Sequence, residues 1–187
     1  FSDADFDGIR RIVDLALERH KPFPAYLIDR HWNVQRSNSA VPELYEGVDA
    51  ALMQPPVNVV RLLMHPEGMA PRIRNLGTWR THFAIQLRRQ IEMTGDHVLE
   101  ALLRELLAYP GEREPGEHAA TGPCVPLIGD TRVGRRRFFG LAPVSGSAAD
   151  VTLEEIALET MHPADAATEA AVRTAIASAA LSSSEEQ

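Results

Sequence analysis

The sequence predicts an α+β domain: a five-stranded antiparallel sheet with helices covering one face and a further helix at the N-terminus. Three observations support this class. Large residues alternate at Tyr26, Ile28, Trp32 and Val34 on either side of a short polar turn, as in a hairpin buried on one face. Helical patterns follow one another through the middle of the chain. An alternating pattern then returns near the end, so strands at both ends enclose a helical insert.

The first segment has the pattern of an amphipathic helix over residues 2–19. Its apolar residues recur at helical spacing, and they are Phe6, Ile9, Val13, Ala16 and Leu17. Acidic side chains at its start and basic ones at its end suit the helix dipole. We expect residues 1–22 to form a linker or dimer helix that precedes a domain over residues 23–181.

Four helices are predicted between the hairpin and the closing strands, over residues 39–45, 57–64, 76–93 and 97–108. Asn38 and Ser39 are placed to cap the first, and Pro55 and Pro56 precede the second. The second is apolar nearly all round, which indicates deep burial, and the two long helices each carry an apolar stripe.

The last part of the chain returns to strand patterns after a polar loop at 112–122. Strands are predicted from residue 125, over 137–144 and over 155–162, the last because Ile156 and Leu158 alternate with smaller or polar residues. An Ala-rich helix follows Pro163, and residues 182–187 are expected to form a disordered tail. Two strands, a helical insert and three strands give the layout of PAS-type sensor domains.

Composition excludes several classes of function. The 187 residues carry a net charge of −7, which is wrong for a domain that binds nucleic acid unaided. One cysteine rules out an internal disulfide and suits a cytoplasmic protein, and no apolar run reaches the ~20 residues of a membrane span. Since the sequence begins with Phe1, we expect it to be part of a longer chain.

Motifs for catalysis or cofactor binding are absent from the sequence. The seven histidines form no ligand pair at helical or loop spacing, Ser145 and Ser147 do not lie in a nucleophile elbow, and the glycines form no phosphate-binding loop. We therefore predict no metal, no cofactor and no enzymatic activity, with a small hydrolase as a distant alternative.

The aromatic and apolar residues are more bulky than a small sheet requires, and they permit a ligand pocket between sheet and helices. Plain core packing explains any one of them equally well. His82, Arg80 or Asn75 could anchor a polar head group. The predicted ligand-binding residues are Tyr26, Trp32, Val34, Leu63, Trp79, His82, Phe83, Leu87, Phe139 and Leu141.

Several ordered fragments resemble one family. The run from Pro24 to Val34, Pro-Ala-Tyr-Leu-Ile-Asp-Arg-His-Trp-Asn-Val, resembles the opening of the MmyB-like ligand-binding domain. Further fragments of the same family pattern follow in order, namely Asn38-Ser39-Ala40, Asn58 to Leu63, Trp79 with Leu87-Arg88, Asp150 to Ile156, Glu159 and Pro163-Ala164-Asp165.

The resemblance implies a PAS-like sensor of a bacterial transcription regulator, in which a helix-turn-helix precedes the ligand-binding domain. It implies a small apolar or fatty-acid-like ligand, and DNA binding through an N-terminal domain that this sequence lacks. A homodimer is also expected. The rival hypothesis is an interaction or dimerisation module with a filled core and no small-molecule ligand.

Overall fold

The computed structural model describes residues 3–111, 125–131, 134–141 and 156–185. Two short 3-10 helices, Ala50–Met53 and Ala70–Arg72, lie within the helical insert. The main elements, in chain order, are α1 (Asp3–Arg19), β1 (Ala25–Asp29), β2 (Val34–Ser37), α2 (Val41–Leu44), α3 (Val59–Met64), α4 (Leu76–Thr94), α5 (His97–Ala108), β3 (Pro126–Thr131), β4 (Gly134–Leu141), β5 (Ile156–Pro163) and α6 (Ala166–Glu185).

The five strands form one sheet in the order β2-β1-β5-β4-β3, and every neighbouring pair is antiparallel. The first and last strands lie side by side at its centre, where Tyr26 of β1 is opposite Glu159 of β5. The predicted fold class is confirmed, including the N-terminal helix and the PAS-like succession of two strands, helices and three strands.

The helical insert covers one face of the sheet and forms the core with it. Because side chains alternate along a strand, this face takes Tyr26 and Ile28 from β1, Met161 from β5 and Phe138 from β4. These residues pack with buried residues of α3, α4 and α5, which are Val59, Val60, Leu62, Leu63, Met64, Phe83, Ala84, Leu87, Leu99, Leu102 and Leu106.

Helices also lie on the second face of the sheet, although the sequence predicts helices on one face only. His162 alternates with the buried Met161, and its ring packs on that of His20, with 4.8 Å between the ring centroids. The Nε2 atom of His20 hydrogen-bonds to the Met161 carbonyl at 2.9 Å. On β4 the Arg137 N–H donates to Thr168 Oγ1 of α6 at 3.1 Å. The end of α1 and the start of α6 therefore hold the outer side of the sheet.

Two predicted helix starts were wrong, because the side chains of two asparagines make hydrogen bonds that place the helix starts later in the chain. The first insert helix spans only Val41–Leu44 and has no side-chain cap. Asn38 is instead buried, and it hydrogen-bonds to the backbone of α1 and β1. The next helix begins at Val59 rather than Val57, because Asn58 caps it by accepting from the N–H groups of Val60 and Arg61.

Other boundaries shift for local reasons. Trp32 belongs to the turn, not to a strand, and has a positive φ of 68°. The third strand extends to Thr131, and the fourth begins at Gly134, whose φ of +96° suits the turn between them. Helix α6 continues to Glu185, so the segment expected to be disordered begins within a helix. Predicted strand residues 142–144 and the predicted loop at 112–122 lie outside the described residues.

Candidate functional site

Four of the predicted site residues form one aromatic cluster: Trp32, Trp79, His82 and Phe83. The Phe83 ring lies between the two indoles, with its centroid 5.4 Å from each. The His82 ring packs on Trp79 at 5.3 Å. Phe83 is buried, whereas the other three are half-buried. The aromatic cluster thus runs from the core to its margin.

Helix α4 and the β1–β2 turn position the aromatic cluster. Residues 79, 82 and 83 are three and four apart on α4, so their side chains lie on one side of the helix. Hydrogen bonds fix both indoles, since Trp79 Nε1–H donates to the Pro126 carbonyl at 3.0 Å and Trp32 Nε1–H donates to Gln90 Oε1 at 2.9 Å. The indoles are therefore held in set orientations by β3 and α4.

Asp29 holds the turn that carries Trp32. Its carboxylate accepts from the backbone N–H groups of His31 at 2.8 Å and Asn33 at 2.9 Å. The Asn58 side chain then donates to the His31 carbonyl at 2.8 Å, which joins the turn to the start of α3. A bulky residue with positive φ is unusual, and these bonds show how the turn maintains it.

Apolar residues surround the inner side of the aromatic cluster. Tyr26, Leu63 and Leu87 are buried in the same core, and Leu87 is fully inaccessible to solvent. Val34 is opposite Ile28 in the hairpin and is half-buried against that core. The structure therefore brings most of the predicted residues together in one layer between sheet and helices.

One predicted residue, Phe139, does not join this layer. Phe138 is the residue of β4 that packs in the core, with 4 % of its surface exposed. Phe139 follows it and so points to the other face of the sheet, where His162 of β5 is its cross-strand neighbour. Leu141 ends the strand, and its side chain lies outside the described part of the structure.

The three proposed head-group anchors differ in how their polar atoms are used. Asn75 donates to the Pro126 carbonyl at 2.7 Å and accepts from the Ile128 N–H at 3.1 Å, so its amide connects α4 to β3. Arg80 is buried and donates to the carbonyls of Pro110 and Gly111. His82 is the third predicted anchor. Burial lowers the pKa of its imidazole, which favours the neutral ring.

A hollow of about 380 Å³ lies elsewhere, between α4 and α5. Its lining combines basic, acidic and two aliphatic side chains. The lining residues are Arg88, Ile91, Glu92, Glu100, Leu103 and Arg104. It is an open surface feature, and none of the predicted site residues lines it.

Sequence reasoning missed a polar group in the same core layer. Glu159 is half-buried opposite Tyr26, and both Tyr26 and Tyr45, the residue after α2, are buried. Burial raises the pKa of the Glu159 carboxyl to about 7. The signal was a glutamate at an inward strand position, which the stronger alternation of Ile156 and Leu158 concealed.

Features of other functional classes are absent from the described residues. No three histidine, cysteine, aspartate or glutamate side chains in these segments are grouped to hold a metal ion. None of the helices in the described part of the chain is both long and apolar enough to cross a membrane.

A comparison with protein families gives a match over residues 9–175 to the MmyB-like transcription regulator ligand binding domain. The chain belongs to this family. A search of curated proteins found no match. The MmyB-like domain is by description the ligand-binding part of transcription regulators, so this chain is a ligand-sensing regulatory domain of a family that is not a known enzyme family.

The residues that first indicated the MmyB-like family have structural roles here. Asp29 orders the hairpin turn, Asn38 joins α1 to the sheet, and Asn58 caps α3. These side chains fix the frame on which Trp32 and Trp79 are presented. These polar motif residues thus account for the fold of this MmyB-like domain, whereas other residues of the same fragments, such as Trp32 and Trp79, lie in the aromatic cluster.

Proposed function

We propose that this MmyB-like domain binds a small apolar or fatty-acid-like effector in the layer between the sheet and helices α2–α5. Binding would control DNA binding by a helix-turn-helix domain outside the given sequence, in a bacterial cytoplasm. The family supports a ligand-sensing role. The aromatic cluster supports the location and the apolar character of the effector.

The observation that carries this proposal is the incomplete burial of three rings beside a fully buried core. Phe83 and Leu87 are sealed from solvent, while Trp32, Trp79 and His82 are half-buried directly beside them. Covering the exposed part of such rings is favourable, by roughly 25 cal/mol per Å² of apolar surface. A bound alkyl chain would complete the burial that the protein leaves unfinished.

Ligand binding changes activity only if its free energy differs between two arrangements of the protein. The hairpin and β5 contact the end of α1 directly in this fold. Asn38 at the end of the hairpin donates to the Leu17 carbonyl of α1 at 3.1 Å, and His20 contacts β5. We propose α1 as the transmitter, since a shift of the hairpin would move this helix.

A second candidate function, a dimerisation module, is supported by one surface of α1. Ile12 and Leu15 are 68 % and 50 % exposed, although both are large and apolar. A second copy of the domain could cover them. This role is compatible with ligand sensing, but as the sole function it requires a core that takes up no small molecule.

Intrinsic fluorescence offers a direct test, because the chain's two tryptophans both lie in the aromatic cluster. We expect decanol and decanoic acid to change the emission saturably at micromolar concentrations. Trp79→Phe and Trp32→Phe should each remove part of the response. A matched control is Tyr109→Phe, which changes an aromatic residue bonded to Glu105 at the end of α5.

An emission spectrum that ignores both amphiphiles in the folded wild-type protein would refute the proposed function. That result would leave the dimerisation module as the better description.

A further inference from the structure

A carboxyl group lies within the apolar layer between sheet and helices. Glu159 is directly opposite Tyr26 on the adjacent strand and shares a face with the buried Met161. A Cβ atom added to Gly140 of the next strand would lie 3.9 Å from Glu159 Oε2. The carboxyl group therefore lies over the backbone of β4, and Glu159 is half-buried there.

A tyrosine hydroxyl lies beside this carboxyl group without a partner. Tyr45 is 3 % exposed, and its hydroxyl oxygen has no hydrogen-bond partner among the described residues. The hydroxyl of Tyr26, which is 5 % exposed, lies close to the hydroxyl of Tyr45. Burial raises the pKa of both phenols, and the nearby Glu159 raises it further. We call Tyr26, Tyr45 and Glu159 the polar trio.

Polar side chains like those of the polar trio destabilise an apolar core unless they have hydrogen-bond partners. A buried hydroxyl without a hydrogen bond destabilises the folded state, and a buried carboxylate without a partner costs more. Neither tyrosine is needed to close the sheet, since backbone hydrogen bonds pair β1 with β5. The polar trio thus offers hydrogen-bond donors and acceptors to a polar group of a ligand.

We propose that the polar trio binds the uncharged, hydrogen-bonding head group of the effector, such as a hydroxyl, amide, ester or protonated carboxylic acid. The inference rests on the proposed function, because it assigns one end of the same ligand. The alkyl chain would extend toward the aromatic cluster. Tyr45 would donate to or accept from the head group, with Glu159 as the second partner.

The charges around Glu159 select against an anionic head group. The titratable groups facing it in the described segments are Tyr26 from β1 and Tyr45 beside α2, and neither is cationic. Arg136 lies four residues from Gly140 along β4, which is about 13 Å at the usual strand rise. Arg72 donates to the Glu46 carbonyl. A second carboxylate beside Glu159 must therefore share a proton with it.

The test compares decanol with decanoic acid by tryptophan fluorescence, at pH 6 and pH 8.5. We expect the affinity for decanol to change less than threefold between these pH values. The affinity for decanoic acid should fall at least tenfold, because the bound pair needs one proton that is lost as Glu159 titrates. Glu159→Gln should abolish this pH dependence.

Substitution of the tyrosine provides a second measurement. Tyr45→Phe should weaken binding of decanol about fivefold, the factor that corresponds to one hydrogen bond of ordinary strength. Tyr109→Phe, which leaves the polar trio intact, should bind decanol as the wild type does. Thermal unfolding of each variant establishes that it is folded before its affinity is measured.

Each outcome decides between distinct conclusions. If both amphiphiles bind and the affinities are unchanged by pH, by Tyr45→Phe and by Glu159→Gln, the head-group assignment is overturned while the proposed function stands. If neither amphiphile binds to the wild-type domain, the proposed function itself fails. A pH-dependent affinity for decanoic acid that disappears in Glu159→Gln would establish the assignment.

Discussion

In the proposed binding mode, Glu159 connects the stability of this domain to its function. Its position opposite Tyr26 is determined by the central β1–β5 pairing, which holds the sheet together. The fold therefore keeps a carboxyl group in an apolar layer at a cost that depends on protonation. A hydrophobic residue at the same position would cost less, so the carboxyl group does not contribute to stability at neutral pH.

The protonation of Glu159 predicts a specific pH dependence of unfolding. Its pKa is about 7 in the folded protein and has an ordinary value of 4.5 when exposed. Because the folded state holds the proton more tightly, the contribution of Glu159 to stability is full below pH 4.5. It is lost as the pH rises to about 7 and above.

We expect Glu159→Gln to remove this loss, so that the ligand-free variant gains roughly 1–3 kcal/mol over the wild type at pH 8 and much less at pH 5. Urea unfolding at the two pH values measures the difference. Glu169→Gln on α6 is a control, since Glu169 forms an exposed pair with Arg173. Equal effects of Glu159→Gln at both pH values would contradict the assigned burial.

Individual asparagines decide where the elements of this fold meet. Asn38 follows β2 and is 3 % exposed, and its side chain makes four hydrogen bonds to backbone atoms. Two of these, to the carbonyls of Leu17 and Phe23, attach the end of α1 to the hairpin. The Asn38 side chain therefore contributes to the orientation of α1 relative to the sheet, together with the His20–Met161 hydrogen bond and the Arg36–Asp14 ion pair.

Asn38→Ala should lower the free energy of unfolding by roughly 3 kcal/mol, because it leaves several buried backbone groups without partners. It should also increase hydrogen exchange at the end of α1. The neighbouring Ser39→Ala affects an exposed residue and should change stability by less than about 0.5 kcal/mol. Similar stabilities for the two variants would show that Asn38 does not attach α1 to the hairpin.

Some elements could be located from the sequence because local signals agree at both ends. The predicted helix 97–108 is α5 itself, since Asp96 accepts from the Val98 N–H at its start and Pro110 lies two residues beyond its end. The first insert helix had no such agreement. Asn38 looked like a cap, but tertiary hydrogen bonds bury its side chain and the helix begins later.

The inward face of a strand is harder to predict when apolar residues occupy both faces. In β5 the alternation of Ile156 and Leu158 suggested the core face, yet Met161 and Glu159 belong to it, and α1 packs near the other face. In β4 two adjacent phenylalanines made either face equally apolar. Only the pairing with the central strand decides that Phe138, not Phe139, enters the core.

The whole molecule is an MmyB-like sensor domain whose fold followed from the order of its elements. Strands at both ends of a helical insert can form one sheet most simply by pairing across the chain, and β1 does pair with β5. The location of a ligand could not follow in the same way. Periodicity shows which side chains face inward, but not which polar atoms remain unsatisfied among them, as at Tyr45.

We propose that the aromatic cluster and the polar trio form one binding layer for an amphiphilic effector. Its most direct test is an NMR measurement of nuclear Overhauser effects between decanol and the protein. We predict contacts from the alkyl protons to the indole protons of Trp32 and Trp79, and from the carbinol protons to the ring protons of Tyr45. Contacts confined to the surface hollow between α4 and α5, or no contacts in a folded sample saturated with decanol, would contradict it.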